Sequence, residues 1–256
     1  MAIESDKEIQ QLKKRFIELG EKSYNQNIYT FTGFLGMSEQ EIFWQAAQAI
    51  KYVPFTLWGG CEGCERQMIR FGSMEEFGYE EKFPIVCICI SPLLEKFADN
   101  LTHRDFLGAL MNLGIERNTL GDIYVNHKTG YLFCTDKIAP FILENLDKIK
   151  HTNVKCKVVE EIPKIVVGEA EEEEQLTASE RIDGIIAKLY NISRTQSLEL
   201  FRQKKVFVNG RLNENNSCNL KSGDTVSVRG YGKFTYEGIV QETRKGKLRI
   251  KVQIFR

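Results

Sequence analysis

No apolar run in this 256-residue chain approaches the roughly 18 residues needed to span a bilayer, so no membrane helix and no membrane partner is expected. Both glycine-rich phosphate signatures, G-x-G-x-x-G and G-x-x-x-x-G-K-[ST], are missing, and Gly59-Gly60 is too short to replace either. No nucleophile–base–orienter pattern stands out. His103 and Asp105 invite a reading as a catalytic dyad, but residues two apart on a helix point in different directions, so a cap or surface role is expected. The cysteines number seven, an odd count with no disulfide spacing, and read as reduced thiols. Cys61 and Cys64 form a lone C-x-x-C. Zinc wants four ligands, and the nearest other pair, Cys87 and Cys89, alternates on one face of an apolar strand, where core packing is the ordinary role. No metal, cofactor, small-molecule substrate or catalytic residue is therefore expected. Net charge is also absent, with 35 Lys and Arg against 35 Asp and Glu.

That balance hides an asymmetry. From Thr177 to Arg256 there are 16 basic and 7 acidic residues, a net of +9, which leaves −9 for residues 1–176. A basic end on an otherwise acidic chain points to nucleic acid, because it attracts phosphate and releases counterions on binding. The start, MAIESDKEIQQLKKRF, is charged and helix-like rather than a secretory signal, and a cytoplasmic protein is expected.

Residues 1–50 read as a helical region. Ile9, Leu12, Phe16 and Leu19 share a helical face, Gly20 reads as a stop, and Ser38 with Glu41 matches a capping box. Residues 51–165 read as an α+β domain, RRM-like or ferredoxin-like, with helices on one side of a mainly antiparallel sheet. Its elements are a strand at YVPFTLWGG, a helix over 61–71, a buried strand at FPIVCICIS, a helix ending at Gly114, a hairpin turning at Asn126–Gly130, a helix with Pro140 in its first turn, and a strand at VKCKVVEEI. Residues 166–178, with Glu171 to Glu174 in a row, read as an acidic linker. Residues 179–256 read as two helices packed on a small sheet. Thr177 with Glu180, and Ser193 with Gln196, match capping boxes. Ile182, Ile185, Ile186 and Leu189 share one face, Leu200 and Phe201 turn inward, and VFVNG, TVSVRG and LRIKVQIF alternate as strands. The start of the second helix offers unpaired N–H groups and a positive dipole end to a phosphate.

Within Arg181–Gly230 lie Arg181-Ile182-Asp183, Ser193-Arg194, Val206-Phe207-Val208-Asn209-Gly210, and Gly223-Asp224 before Thr225-Val226-Ser227-Val228. This series resembles the S4-type RNA-binding domain. The resemblance implies RNA contact through Arg181, Arg194, Lys204, Lys205, Asn209, Arg211 and Arg229. The family often has glycine where Lys204 stands, so Lys204 must end its helix another way or adopt a left-handed conformation. Trp58-Gly59-Gly60 with Glu65-Arg66, FGYEEKFPIV, the stretch His103–Val125, and SVRGYGKFTYEG extend the likeness over nearly the whole chain, which resembles the YlmH-like family of bacterial S4-domain proteins. That resemblance implies a monomeric, cytoplasmic protein on the large ribosomal subunit, holding ribosomal RNA and tRNA during quality control or rescue of stalled ribosomes. Two alternatives stand beside it: an RNA-modifying enzyme such as a pseudouridine synthase, and a protein-docking factor linked to cell division.

Overall fold

The computed structural model describes residues 6–160, 171–243 and 246–255. The chain divides into two compact units, Met1–Val167 and Gly168–Arg256. The first contains α1 (Asp6–Gln26), β1 (Thr30–Phe31), α2 (Met37–Ala46), β2 (Phe55–Trp58), β3 (Met68–Phe71), α3 (Met74–Phe77), β4 (Ile85–Pro92), α4 (His103–Asn112), β5 (Leu120–Asn126), β6 (Thr129–Thr135), α5 (Ala139–Asn145), β7 (Lys148–Ile149) and β8 (Thr152–Val159). The second contains β9 (Glu171–Thr177), α6 (Ile182–Leu189), α7 (Arg194–Arg202), β10 (Val206–Val208), β11 (Arg211–Leu212), β12 (Thr225–Val228), β13 (Gly232–Glu242) and β14 (Leu248–Phe255). The α+β class expected from the sequence is what the structure shows.

Between Ile85 and Val159 the order β4-α4-β5-β6-α5-β8 is a βαββαβ unit. Its strands lie in the order β5-β6-β4-β8, with the short β7 beyond β8, and every pair is antiparallel. That is the ferredoxin-like arrangement. Both helices cover one face, where Phe106, Leu110 and Ile142 bury against Ile88, Ile90, Leu132 and Cys134.

The other face is covered by the preceding residues. β2 and β3, which a division at residue 50 assigns to the central domain, instead join β1 in a three-stranded sheet. Ile69 and Phe71 complete a core with Phe16, Phe43 and Ile50 from the helical region. The helix expected over 61–71 is absent: turns lead into β3, whose residues pair with β2 from Phe55↔Phe71 to Trp58↔Met68. The apolar triplet Met68, Ile69 and Phe71 finds its partners across the sheet rather than along a helix. Phe34, Cys64 and Met68 then bury Cys87 and Phe133. Arg66 ties the layers together, donating from Nε to Leu120 O at 2.9 Å and from Nη2 to Phe34 O at 2.9 Å, while its backbone N–H and that of Glu65 donate to the Asp122 carboxylate.

Gly60 lies flat on the Phe133 ring. Its φ is +112°, and a Cβ there would sit 2.3 Å from Phe133 Cδ1. Gly60→Ala is therefore expected to destabilise the first unit by about 2–4 kcal/mol, from backbone strain and overpacking together. The urea midpoint followed by tryptophan fluorescence reads this directly, since Trp44 and Trp58 both belong to that unit; an unchanged midpoint would contradict the packing.

Helix boundaries differ from expectation in three places. α1 runs through Gly20, because that glycine serves close packing: a Cβ would meet Ile50 Cδ1 at 2.7 Å. α2 starts at Met37, with the Glu39 carboxylate accepting from Gly36 N at 2.7 Å, so the Ser38–Glu41 pattern is not its cap. α6 starts at Ile182 rather than after Thr177, and Glu180 instead accepts a 2.6 Å hydrogen bond from the buried Tyr236 hydroxyl.

In the second unit, six strands form one antiparallel sheet in the order β11-β10-β12-β13-β14-β9. α6 and α7 pack on it through Ile182, Ile185, Ile186, Leu200 and Phe201, against Val226, Phe234, Tyr236, Ile250 and Val252. The acidic segment expected to be a solvated linker is, from Glu171 to Thr177, edge strand β9 paired with β14; residues 166–170 of that expected linker lie outside the described residues. The physical reason is cross-strand neutralisation. Lys251 Nζ sits 2.8 Å from Glu172 and Arg249 Nη1 sits 3.4 Å from Glu174, relieving the repulsion that reads as disorder from sequence alone. With those glutamates included, Gly168–Arg256 holds 16 basic and 12 acidic residues, a net of +4. The acidic strand occupies one edge of the sheet and β11 the other.

Candidate nucleic-acid interface

The start of α7 is built by local sequence. Ser193 Oγ accepts from Gln196 N at 3.1 Å and Gln196 Oε1 accepts from Ser193 N at 2.8 Å, a reciprocal capping box. Arg194 and Thr195 are exposed at this end. Beneath them lies Asp183 in the first turn of α6, 1 % exposed. Its carboxylate accepts from Arg181 Nε and Nη2 at 3.1 and 3.0 Å, from Arg194 Nε and Nη2 at 3.3 Å each, and from Gly184 N at 2.9 Å. Ser197 Oγ donates to Asp183 O at 2.8 Å and locks the two helices together. One buried carboxylate thus holds two guanidinium groups at the helix start, with Arg194 the more exposed. Two cations on one anion leave a net positive charge where the α7 dipole is also positive.

The remaining expected residues lie elsewhere on the unit. Lys204 and Lys205 follow the far end of α7, a helix of 9 residues, about 12 Å along its axis from Arg194 at the usual helical rise. Lys204 takes φ +54°. Its N–H donates to Phe201 O and that of Lys205 donates to Leu200 O, both at 3.0 Å, so a Schellman motif closes the helix with lysine in the glycine position. The left-handed conformation costs about 1 kcal/mol in a residue with a Cβ. Lys204 Nζ pairs with Glu214 at 3.1 Å. Arg229 N donates to Lys205 O at 2.9 Å, and the Arg229 guanidinium lies 4.7 Å from the Phe207 ring centroid, so these two cations adjoin. Arg211 is exposed on edge strand β11, opposite Val208. Asn209 and Gly210 form the tight turn between β10 and β11, with φ +51° and +75°. Asn209 spends its side chain on the fold: Nδ2 donates to Asp224 Oδ1 at 2.8 Å and Oδ1 accepts from Thr225 N at 2.9 Å. The structure therefore brings together Arg181 with Arg194, and Lys205 with Arg229, and gives Asn209 a structural task.

His103 and Asp105 do not form a dyad. Asp105 accepts from Thr102 N and Oγ1 at 2.7 and 2.8 Å and faces Lys150 Nζ at 2.8 Å, and these contacts hold its carboxyl down to about 2. Burial, and then Arg117, lower the His103 imidazole from its ordinary value. Cys61 and Cys64 bring their sulfurs to 3.4 Å, with the Tyr124 hydroxyl 3.7 Å from Cys64 Sγ. Hydrogen bonding to Cys61 and burial push the Cys64 thiol well above its usual range, the opposite of a reactive thiolate. Among the described residues, no group of three or more His, Cys, Asp and Glu side chains could hold a metal ion, and no helix is long and apolar enough to cross a membrane.

Residues 79–162, which include the whole βαββαβ unit, match the family model described as "Putative RNA-binding domain in YlmH". The likeness to YlmH-like proteins read from the sequence is thereby borne out. Among individual proteins, the chain is similar to the "Ribosome-associated protein quality control protein P2" of Bacillus subtilis (strain 168), at 29% identity over 160 residues. That match covers 61% of this chain and 61% of the relative's own length. A solved structure, "Cell division protein ylmH from Streptococcus pneumoniae", is similar at 20% identity with a TM-score of 0.49, over 64% of this chain and 97% of that one.

Proposed function

We propose that this protein binds structured RNA, ribosomal RNA and tRNA of the large ribosomal subunit, through its C-terminal S4-type unit, and acts without catalysis in quality control of stalled ribosomes. The observation that carries the proposal is the Asp183-anchored pair Arg181 and Arg194 at the exposed start of α7. Guanidinium groups fixed in place beside a helix N-terminus suit phosphate oxygens, since their donors are arranged before the ligand arrives. Such contacts position a protein on RNA by backbone and shape more than by sequence. The name of the Bacillus relative supports the ribosomal setting, and the description of the family model supports RNA as the ligand. Lys205 and Arg229, further along, extend the surface available to the backbone.

Ultraviolet crosslinking in cells followed by sequencing of the bound RNA tests this reading. Large-subunit rRNA and tRNA are expected to dominate the crosslinks and to fall away in an Arg181→Glu, Arg194→Glu variant. Crosslinks confined to messenger RNA, or unchanged by the variant, would contradict it.

A further inference from the structure

A second place in the molecule has the chemistry of a nucleic-acid subsite, and it lies wholly within the first unit. The face of the ferredoxin-like sheet opposite its helices carries Tyr131 and Phe133 on β6, but Phe133 is buried under Gly60, Phe34 and Cys64, and Tyr124 is drawn into the Cys61–Cys64 contacts. That face is closed over Phe133. Beside it a cleft of about 590 Å³ opens between the β2–β3 strands and the β4 and β8 strands, within the range of roughly 300–1,000 Å³ typical of sites for small ligands. Its walls include Trp58, which is 37% exposed, Phe83 and the exposed Val158.

The polar groups are also particular. Arg70 is held between two rings, its guanidinium carbon 5.0 Å from the Tyr29 centroid and 5.1 Å from that of Phe83. Its side chain is only 11% exposed. Nη1 donates to Glu81 O at 2.6 Å and faces Glu80 Oε1 at 3.4 Å. The charges lining the cleft balance, Arg70 and Lys82 against Glu80 and Glu160. A neutral, aromatic-walled cleft lined by a guanidinium and by carboxylates suits an uncharged ring that offers a carbonyl and an amine. It does not suit a phosphate.

The geometry points to this cleft as the seat of one unpaired nucleobase carrying an exocyclic amine, from a single-stranded stretch of RNA: the ring stacks on Trp58 or Phe83, the Arg70 guanidinium on the cleft lining donates to a base acceptor, and a carboxylate accepts from the amine. The inference rests on the proposed RNA-binding function, but it places a single-strand contact on a different unit from the one gripping structured RNA. Stacking on aromatic side chains tolerates many sequences, whereas carboxylates select against a base without an amine.

Full-length protein would be titrated with fluorescein-labelled hexamers of cytidine and of uridine, with unlabelled cytidine monophosphate, and with folded tRNA. Wild type is expected to bind the cytidine hexamer at least tenfold more tightly than the uridine hexamer. Trp58→Ala and Val158→Glu, both at exposed positions, are expected to weaken the cytidine hexamer tenfold or more while leaving tRNA unchanged; Arg194→Glu is expected to do the reverse. The inference is overturned if neither hexamer binds, or if both cleft variants bind as wild type does. It is also overturned if only Arg194→Glu affects the hexamer, or if the mononucleotide binds as well as the hexamer, which would make this a free-nucleotide site. Failure of wild type to bind tRNA would count against the structured-RNA reading instead, so the two outcomes separate.

Discussion

Arg194→Glu is expected to weaken binding of folded tRNA or rRNA fragments by tenfold or more near physiological salt, with similar losses on RNAs of unrelated sequence. Two effects add. The substitution removes a guanidinium that stands at the helix start with most of its surface in solvent, and it places a carboxylate at the proposed phosphate position. Because Arg194 is exposed and only its inner edge touches Asp183, folding should be little affected, and circular dichroism should superimpose on that of wild type. A loss restricted to one RNA sequence would indicate base readout instead, since a phosphate contact weakens binding nearly uniformly. An affinity equal to wild type would remove the start of α7 from the interface.

Asp183→Ala is expected to act on both stability and RNA affinity. The carboxylate is buried and accepts five hydrogen bonds, four from the two arginines and one from Gly184 N. Truncation leaves those donors without their partner and loosens the junction of α6 and α7, at about 1–3 kcal/mol of unfolding free energy. The arginines can still turn outward to water, which keeps the penalty below that of a fully enclosed ion pair. For RNA, the consequence is lost positioning rather than lost charge. Affinity should drop several-fold although the unit becomes more positive. A double-mutant cycle separates the two roles. If Asp183 works by fixing Arg194, Arg194→Ala should do less harm in the Asp183→Ala background than in wild type. Independent, additive losses would show that Asp183 is merely structural.

These expectations trace to features that differ in how far the sequence reveals them. The capping box at Ser193 and Gln196 is local, its two halves three residues apart, and it forms as the pattern predicts. The stripe Ile182, Ile185, Ile186 and Leu189 is equally local, and all four residues bury. The missing glycine in the resemblance to the S4-type domain leaves two outcomes for Lys204, another helix ending or a left-handed conformation, and the structure shows the second. β9 is the opposite case. Glu171 to Glu174 repel one another in any local window, and their strand exists because Arg249 and Lys251, more than 70 residues away, sit across from them. No periodicity in the segment itself carries that information. The sheet of β1, β2 and β3 is hidden for the same reason. Residues 61–71 read as a helix from their own stretch of sequence, and only the core offered by Phe16 and Phe43 shows Ile69 and Phe71 on a strand.

The candidate interface divides along the same line. Residue types and order identify the arginines, while their convergence on a single buried carboxylate is a tertiary fact, with Asp183 and Arg194 on different helices. That Asn209 is consumed by its own turn is likewise visible only once Asp224 and Thr225 are placed beside it. The cleft flanked by Trp58 and Phe83 has no sequence signature, because its walls come from five separated stretches of chain. Charge counting also misled in one respect: a boundary drawn at Thr177 excludes the acidic strand from the basic unit to which it belongs, turning a net of +4 into +9. The proposed phosphate contact therefore rests on a local concentration of cations and not on the average charge of the unit.

The salt dependence of tRNA binding by full-length protein, wild type against Arg194→Ala, addresses that local concentration most directly. Each phosphate neutralised contributes roughly 0.7–0.9 to the slope of log affinity against log salt. If Arg194 holds a phosphate, the variant's slope should be shallower by about 1. Parallel lines for the two proteins, whatever their offset, would contradict the phosphate cradle at the start of α7.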